Sequence, residues 1–316
     1  MTTALLLTAA GLVLLLIAGD ALVKGAVNFA LRLGIPALIV SLTIVAFGTS
    51  APELLIAVEA IIDGAPGIAM GNVVGSNTAN VLLVLGVPAL LAGLHTAGCD
   101  TRKSFVYMIL ATALFIAGAF FGPITWVHGL VFLAALFAIL ADQFFDAKRA
   151  RAAGQVVDED EPEGADPDMA WWKISAFLLF GLIGLPLGAS LLVENSVIIA
   201  RSFGVSETVI GLTLIAIGTS LPELATTVAA AYRKQADVAI GNVIGSNMFN
   251  LLAIIGIASF IGPIEVDQGV LKFDLWVMAA ASLILVPFVF FKWNMMRGTG
   301  AILTALYVSY LVMLLV

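Results

Sequence analysis

The stretch "GTSAPELL", Gly48 to Leu55, decides the fold of this chain, because it sets a proline and a carboxylate inside a long apolar run. Both residues are costly in a membrane-spanning helix, where proline removes a backbone hydrogen bond and a charge loses its hydration. The stretch "GTSLPELA", Gly218 to Ala225, repeats the arrangement later in the chain. A costly pattern that occurs twice indicates a function.

The composition is that of a membrane protein. The 316 residues are 61% hydrophobic and 11% charged, whereas a soluble domain is about 25% charged. Apolar runs of about 18 to 25 residues, long enough to cross a bilayer as helix, recur along the chain. They predict an all-α polytopic protein with ten spans. The second span is interrupted at Pro52 and the seventh at Pro222. The spans are 3–19, 36–62, 67–93, 104–121, 124–141, 171–192, 206–231, 237–261, 274–291 and 299–316.

A polar stretch separates the fifth and sixth predicted spans. Residues 142–170 are rich in charge and contain proline and glycine, which predicts an exposed, flexible linker between a first unit, 1–141, and a second unit, 171–316.

The basic residues predict the orientation of the chain in the membrane. If the N-terminus lies outside, 12 Lys and Arg residues fall on the inner side and two on the outer side. The positive-inside rule then places both termini outside and the linker in the cytoplasm. The chain has no basic stripe, so we expect no nucleic-acid partner.

The two halves of the chain are copies of each other. Residues 40–91 align without a gap on 210–261, and 21 of these 52 positions are identical. Each half has five predicted spans, an odd number, so the halves must enter the membrane in opposite directions. Inverted repeats with interrupted helices are typical of secondary transporters, which bind their substrate near the bilayer midplane.

The repeated motif is a set of oxygen donors. Thr49, Ser50 and Glu53 share a helix face by their three- and four-residue spacing. Pro52 has no N–H, so the carbonyls of residues 46–48 are expected to be free for other partners. The second copy supplies Thr219, Ser220, Glu223 and the carbonyls of residues 216–218.

Spans three and eight supply a complementary set. Ser76 and Asn80 are four residues apart, as are Ser246 and Asn250, so each pair shares a helix face. Glycines at small-xxx-small spacing in the same spans predict close approach to the broken helices. The combined set contains only oxygen ligands, which suit hard cations such as Ca²⁺ and Na⁺. Two carboxylates neutralise one Ca²⁺, whereas an empty site with two ionised carboxylates is disfavoured. No cofactor is expected.

The motifs "GTSAPE…GNVVGSNTAN" and "GTSLPE…GNVIGSNMFN" resemble the two α-repeats of the sodium/calcium exchangers in the cation/calcium antiporter superfamily. The resemblance to prokaryotic members covers the whole chain. It implies exchange of Na⁺ for Ca²⁺ by alternating access, with spans one and six sliding as a pair over the other eight. It also implies a plasma (inner) membrane location, with the bilayer and the two ions as partners and no obligatory protein partner.

The resemblance also implies roles for individual residues. Glu53 and Glu223 would be the central calcium ligands, and Thr49 and Thr219 would also be ligands, through hydroxyl or carbonyl oxygens. The sodium sites would be lined by Ser50, Ser76, Asn80, Ser220, Ser246, Asn250 and the carbonyls of Ala46 and Ala216. Potassium-dependent members have Asp where this chain has Asn250, which favours potassium-independent exchange.

Other interpretations stay open from the residues alone. The hydroxyls could bond back to their own helices, and Asn80 and Asn250 could tie helices together. Four further repeated asparagines, at 72, 77, 242 and 247, are expected to tie backbone together rather than bind ions. At the level of function, H⁺/Ca²⁺ antiport is the main alternative. An intramembrane hydrolase with an acid dyad or a passive channel would not need the duplicated site, so we expect no enzyme activity.

Overall fold

The computed structural model describes residues 2–34, 37–62, 64, 66–152, 166, 168–202 and 216–315. These residues are helical apart from turns, loops and two isolated β-bridges. The helices are α1 (Thr2–Leu33), α2 (37–49), α3 (Ala51–Ile62), α4 (Pro66–Leu91), α5 (Arg102–Phe120), α6 (Trp126–Ala152), α7 (Trp171–Ser202), α8 (Ala216–Thr219), α9 (Leu221–Tyr232), α10 (Ala236–Ala258), α11 (Val270–Phe290) and α12 (Arg297–Leu315). π-Helical turns interrupt α2, α4, α10 and α11, at Ser41–Val45, Asn80–Val84, Phe249–Ile254 and Val270–Asp274.

Most predicted spans have a counterpart in the described part of the chain. Eight helices there are long and apolar enough to cross a bilayer, and α2 and α3 form a ninth span with a 51° bend. The predicted span 206–231 is described only from residue 216 onward, where α8 and α9 lie. Of the predicted linker, residues 153–165 and 167 lie outside the described residues.

Several helices are longer than predicted. The first span was expected to end at residue 19, but α1 continues without a break to Leu33. The charges that end the apolar run do not end the helix, because each has a partner: Asp20 pairs with Arg233 at 2.6 Å, and the Lys24 ammonium lies 4.9 Å from the centre of the Phe177 ring. The predicted boundary at 192 is likewise too early, since α7 runs to Ser202.

The helix α6 also passes its predicted end at residue 141. It continues to Ala152 and so takes in the first residues of the predicted linker. Lys103 at the start of α5 contacts both Asp142 and Asp146, and Tyr107 donates a hydrogen bond to Asp142 at 2.5 Å. These contacts hold the polar end of α6 against α5, whereas hydropathy reports only where the apolar run stops.

The long helices α1 and α7 pack against each other through glycines. A Cβ at Gly181 would lie 2.5 Å from Leu22 Cβ and 3.0 Å from the Ala18 carbonyl oxygen. A Cβ at Gly188 would lie 3.0 Å from the Leu15 backbone nitrogen. Close approach of this kind is how helices associate in a bilayer, where apolar side chains gain little from leaving lipid.

Replacing Gly181 by valine is therefore expected to lower stability by about 1–3 kcal/mol, because the added side chain forces the two helices apart. Thermal unfolding in detergent measures this loss. Gly298→Ala is the matched control, since no described atom lies within 4 Å of the Cβ it would add. Equal melting temperatures for the two variants would contradict the close packing.

The centre of the molecule is formed by α4 and α10, the two helices that carry the "GNVxGSN" motifs. The apolar span of α10 is buried along its whole length. A Cβ at Gly245 would lie 2.6 Å from the Leu42 carbonyl oxygen, which confirms the predicted close approach of this helix to α2. For Gly71 and Gly75 in α4, no described atom lies within 4 Å of an added Cβ, so the described residues show the predicted close approach only for α10.

Two isolated antiparallel β-bridges connect loops of the two halves. Leu94 and Met295 exchange backbone hydrogen bonds of 2.8 and 3.0 Å, and Ile124 and Ile264 exchange bonds of 2.8 and 2.9 Å. Each bridge joins a loop of the first half to a loop of the second. Leu94 and Ile264 are equivalent positions of the two halves under the 170-residue shift.

Candidate ion-binding site

The two broken helices have the same local geometry. The helix break lies at Ser50 in the first copy (φ −85°, ψ 5°) and at Ser220 in the second (φ −87°, ψ 4°). Both breaks lie two residues before the proline, not at the proline as expected. Proline is well suited to the first turn of a helix, where its missing N–H would have no partner anyway. Pro52 and Pro222 therefore lie in the first turn of the second helical segment, which begins one residue earlier, at Ala51 and Leu221.

The breaks place one glutamate in the first turn of each following helix. Glu53 lies in the first turn of α3 and Glu223 in the first turn of α9, and each side chain is only 1% exposed. A helix N-terminus stabilises negative charge, which offsets part of the cost of burying these carboxylates. None of the ion pairs within the described residues includes either glutamate.

The glutamates of the two halves meet at one site. The Ser50 hydroxyl, from the first half, donates a hydrogen bond of 3.1 Å to Oε1 of Glu223, from the second half. Ser50 lies three residues before Glu53, so this bond brings Glu223 to the part of the broken helix that carries the other glutamate. Ser246 lies beside the Glu223 carboxylate without a hydrogen bond of normal geometry. This buried site therefore combines oxygen atoms from both halves.

Many of the oxygen atoms at this site have no hydrogen-bond donor. Ten buried side-chain atoms in the described part of the chain are without a partner, and six of them are oxygens of residues that the motifs singled out. They are Glu53 Oε2, Glu223 Oε2, Ser220 Oγ, Ser246 Oγ, Asn80 Oδ1 and Asn250 Oδ1. A buried polar atom without a partner costs about 1–3 kcal/mol, so a cluster of them calls for a compensating ligand. Oxygen atoms that lack donors are suited to a cation.

A ring of four asparagines explains why two of these oxygens are free. Asn77 Nδ2 donates to the Asn247 carbonyl at 3.5 Å, and Asn247 Nδ2 donates to the Asn77 carbonyl at 3.4 Å. Asn80 donates to Asn247 Oδ1 at 3.0 Å, and Asn250 donates to Asn77 Oδ1 at 3.2 Å. The Nδ2 of every member is thus used within the ring. The side-chain oxygens of Asn80 and Asn250 are left over.

The ring shows which atoms of the four asparagines make interhelical hydrogen bonds. Asn77 and Asn247 bond to each other's backbone, which confirms that they tie the two central helices together. Asn80 and Asn250 make interhelical bonds through their nitrogens, and these bonds fix the orientation of their free oxygens. The interhelical role and a ligand role are therefore compatible, since they use different atoms of one amide.

A second reciprocal pair holds the threonines. Thr49 Oγ1 donates to Asn242 Oδ1 at 3.3 Å, and Thr219 Oγ1 donates to Asn72 Oδ1 at 3.5 Å. Asn72 and Asn242 were expected to tie backbone together, and this was wrong: among the described residues their side-chain hydrogen bonds go to threonine hydroxyls. Their repetition in the two motifs was the available signal, but the pairing depends on contacts between the halves.

One expected ligand atom already accepts a hydrogen bond. The Ala46 carbonyl was expected to be free, but it accepts a hydrogen bond from the Ser50 backbone N–H at 3.1 Å. The Thr49 hydroxyl lies 3.3 Å from this carbonyl and equally far from Asn242 Oδ1, and its one proton serves one of the two acceptors. Pro52 removes the donor to residue 48 and leaves Ala46 with its ordinary helical partner. In the second copy the Ser220 nitrogen bonds to Ile217 instead, at 3.1 Å.

All ten side chains singled out by the motifs are buried, at 0–8% exposure. Among the described residues there is no group of three His, Cys, Asp or Glu side chains that could hold a metal ion. A site built on Glu53 and Glu223 therefore relies on hydroxyl and amide oxygens for its remaining ligands. Such a set suits hard cations and not zinc or copper. Ser76 lines a cavity together with Asn72.

Comparisons with known proteins agree with this chemistry. A family model described as "Sodium/calcium exchanger protein" matches residues 3–145 and 173–316. The chain is 38% identical to the putative antiporter CaxA of Alkalimonas amylolytica, over 90% of this chain and 89% of that protein. It is 34% identical to the sodium/calcium exchanger MaX1 of Methanosarcina acetivorans, over 96% of each chain.

The fold matches a solved structure of the sodium-calcium exchanger NCX_Mj with a TM-score of 0.83. This match has 28% sequence identity and covers 98% of this chain and 97% of that one. The family consists of membrane transporters and not enzymes, and it transports its ions without a cofactor. The chain belongs to the sodium/calcium exchanger family, whose members carry out cation/calcium antiport.

Proposed function

We propose that this protein exchanges Na⁺ for Ca²⁺ across the membrane by alternating access and thereby extrudes Ca²⁺. The observation that carries the proposal is the cluster of six buried oxygens without hydrogen-bond donors, on Glu53, Glu223 and their neighbours. The relatives named as sodium/calcium exchangers, MaX1 and NCX_Mj, support the choice of ions.

Ca²⁺ binds between Glu53 and Glu223 in this proposal. Two carboxylates neutralise a divalent ion, so the loaded site carries no net charge in the low-dielectric interior. Thr49 and Thr219 lie beside them, each held by an asparagine of the opposite half. Without a bound cation, the two ionised carboxylates repel each other, so the ion-free protein reorients less easily than the ion-loaded protein. This difference favours the exchange of one ion for another over net release of Ca²⁺.

Na⁺ ions bind to the neutral oxygens around this centre. The proposed ligands are Ser50, Ser76, Asn80, Ser220, Ser246, Asn250 and the Ala216 carbonyl. The Ala46 carbonyl completes the set: it accepts a hydrogen bond from the Ser50 N–H and has a second lone pair for an ion. Orphaned hydroxyl and amide oxygens favour Na⁺ over H⁺ as the coupling ion, since a proton would need only the carboxylates. The neutral amide of Asn250 favours exchange without potassium.

The two halves, 1–141 and 171–316, act as inverted repeats of five spans each, ten in all. Reciprocal contacts support this arrangement: Asn77 bonds to Asn247 as Asn247 bonds to Asn77, and Thr49 bonds to Asn242 as Thr219 bonds to Asn72. Pairs of this kind are the mark of a two-fold axis. The family match leaves out residues 146–172, which fall almost entirely within the proposed linker, 142–170.

The protein lies in the plasma membrane, with both termini outside and the linker in the cytoplasm. The distribution of Lys and Arg supports this orientation. The relative YrbG of Escherichia coli, 33% identical over 99% of this chain and 97% of that protein, is named an inner membrane protein.

Ca²⁺ uptake into proteoliposomes tests the coupling ion. Vesicles loaded with Na⁺ and diluted into Na⁺-free buffer are expected to accumulate Ca²⁺, and collapse of any pH gradient with an ionophore should leave uptake unchanged. Vesicles loaded with choline in place of Na⁺ are the control. Uptake that follows an imposed pH gradient and ignores Na⁺ would overturn the proposal in favour of H⁺/Ca²⁺ antiport.

A further inference from the structure

A largely apolar cavity with a few polar side chains lies between α4, α11 and α12, beside the proposed ion site. Its volume is about 240 Å³, and its polar lining comes from Asn72, Ser76, Asp274, Tyr307 and Tyr310. A water molecule takes up about 30 Å³ in the liquid, so a partly hydrated ion fits in this space. Apolar residues of α11 and α12 form the rest of the lining, among them Val270 and Leu311.

Asp274 is the only charged residue among those lining the cavity in the described part of the chain. Its side chain is partly buried within the membrane-spanning helix α11, at the end of a π-helical turn. Tyr310 of α12 donates a hydrogen bond of 2.8 Å to Oδ1 of Asp274. None of the ion pairs in the described ranges includes this carboxylate. A carboxylate in a membrane span without a basic partner indicates a functional site, and π-helical turns are frequent at such sites.

The cavity borders the proposed ion site. Ser76, which lines it, belongs to the proposed sodium ligands. Asn72 lines it too, and its Oδ1 accepts the hydrogen bond from Thr219 at 3.5 Å. The Nδ2 atom of Asn72 is buried without a partner among the described residues. The cavity that contains Asp274 and the proposed ion site are therefore connected through two residues of α4, Asn72 and Ser76.

We propose that Asp274, oriented by Tyr310, is a recruiting site for Na⁺, from which the ion reaches the proposed site along the Ser76 side of α4. The inference rests on the proposed function. Charge selects the ion: one carboxylate balances one monovalent cation, whereas the pair Glu53 and Glu223 balances a divalent one. A fixed negative charge in a low-dielectric cavity also raises the local concentration of cations.

The test is the Na⁺ dependence of Ca²⁺ transport in proteoliposomes. Asp274→Asn is expected to raise the half-saturating Na⁺ concentration about fivefold, because the local enrichment of Na⁺ is lost. The half-saturating Ca²⁺ concentration and the rate at saturating Na⁺ are expected to stay near the wild-type values. Asp274→Glu should restore most of the Na⁺ dependence, and Tyr310→Phe should give an intermediate shift, because it removes the hydroxyl that orients the carboxylate.

Asp267→Asn is the matched control, since Asp267 is an exposed carboxylate in the loop before α11. An equal rise of the half-saturating Na⁺ concentration in this control would show that general surface charge causes the effect, and it would contradict a Na⁺ site at Asp274. Unchanged Na⁺ dependence in Asp274→Asn would also overturn it, as would a shift in Ca²⁺ dependence alone. Wild-type protein that shows no Na⁺-dependent transport would instead overturn the proposed function itself. The wild-type measurement thus separates the two failures.

Discussion

Glu53→Gln is expected to abolish Ca²⁺ transport, with a loss on the order of 100-fold or more. The variant keeps the shape of the side chain but leaves the divalent ion with one carboxylate in a buried site. Removing one partner of a buried charge pair costs about 3–5 kcal/mol, and each 1.4 kcal/mol is a factor of about ten in affinity. Glu223→Gln is expected to behave in the same way. Ca²⁺ uptake into Na⁺-loaded proteoliposomes measures both.

A second measurement separates loss of binding from loss of folding. Without Ca²⁺, both variants should melt at or above the wild-type temperature, because the repulsion between Glu53 and Glu223 is removed. Added Ca²⁺ should raise the melting temperature of the wild type, as a ligand that binds the folded state does, but not that of the variants. Glu265→Gln, at an exposed loop position, is the control and should transport normally. Uptake above half the wild-type rate in either variant would contradict the proposed ligands.

Asn77→Leu is expected to have the second-largest effect, a loss of transport of about tenfold or more together with a lower melting temperature. The change leaves the Nδ2 atom of Asn250 without its partner and removes the bond from Asn77 to the Asn247 carbonyl. Each buried group that loses its partner costs about 1–3 kcal/mol. The free oxygen of Asn250 also loses the bond that orients its amide. Asn247→Leu should give a matching loss, because the ring is reciprocal.

The double variant Asn77→Leu/Asn247→Leu tests whether the four asparagines act as one network. Its loss of stability should be smaller than the sum of the single losses, since both changes break the same ring. Thr78→Val is the control, because Thr78 is buried next to Asn77 but donates only within its own helix, to Val74 at 3.0 Å. Additive losses for the two asparagines would show that the halves are not coupled through the ring.

The sequence predicted most of the architecture because the relevant signals are local. Apolar run length indicated the spans, and nine of the ten predicted spans have a counterpart in the described part of the chain. The boundaries of α1, α6 and α7 were wrong, because hydropathy stops at the first charges. Those charges have partners elsewhere, such as Arg233 for Asp20, and the helix continues past them. Long-range ion pairs of this kind leave no mark on local periodicity.

For the candidate site too, the sequence determines some features and the tertiary structure determines others. Residue types and three- or four-residue spacing by themselves identified Glu53, Glu223 and the hydroxyl and amide donors around them. Only the tertiary structure decided which amide atoms are free: it uses the nitrogens of Asn80 and Asn250 and leaves their oxygens open. The physical reason is that a side chain's helix face depends on its neighbours in sequence, whereas its hydrogen-bond partner depends on packing. Here the asparagine partners come from residues about 170 positions away, in the other half of the chain.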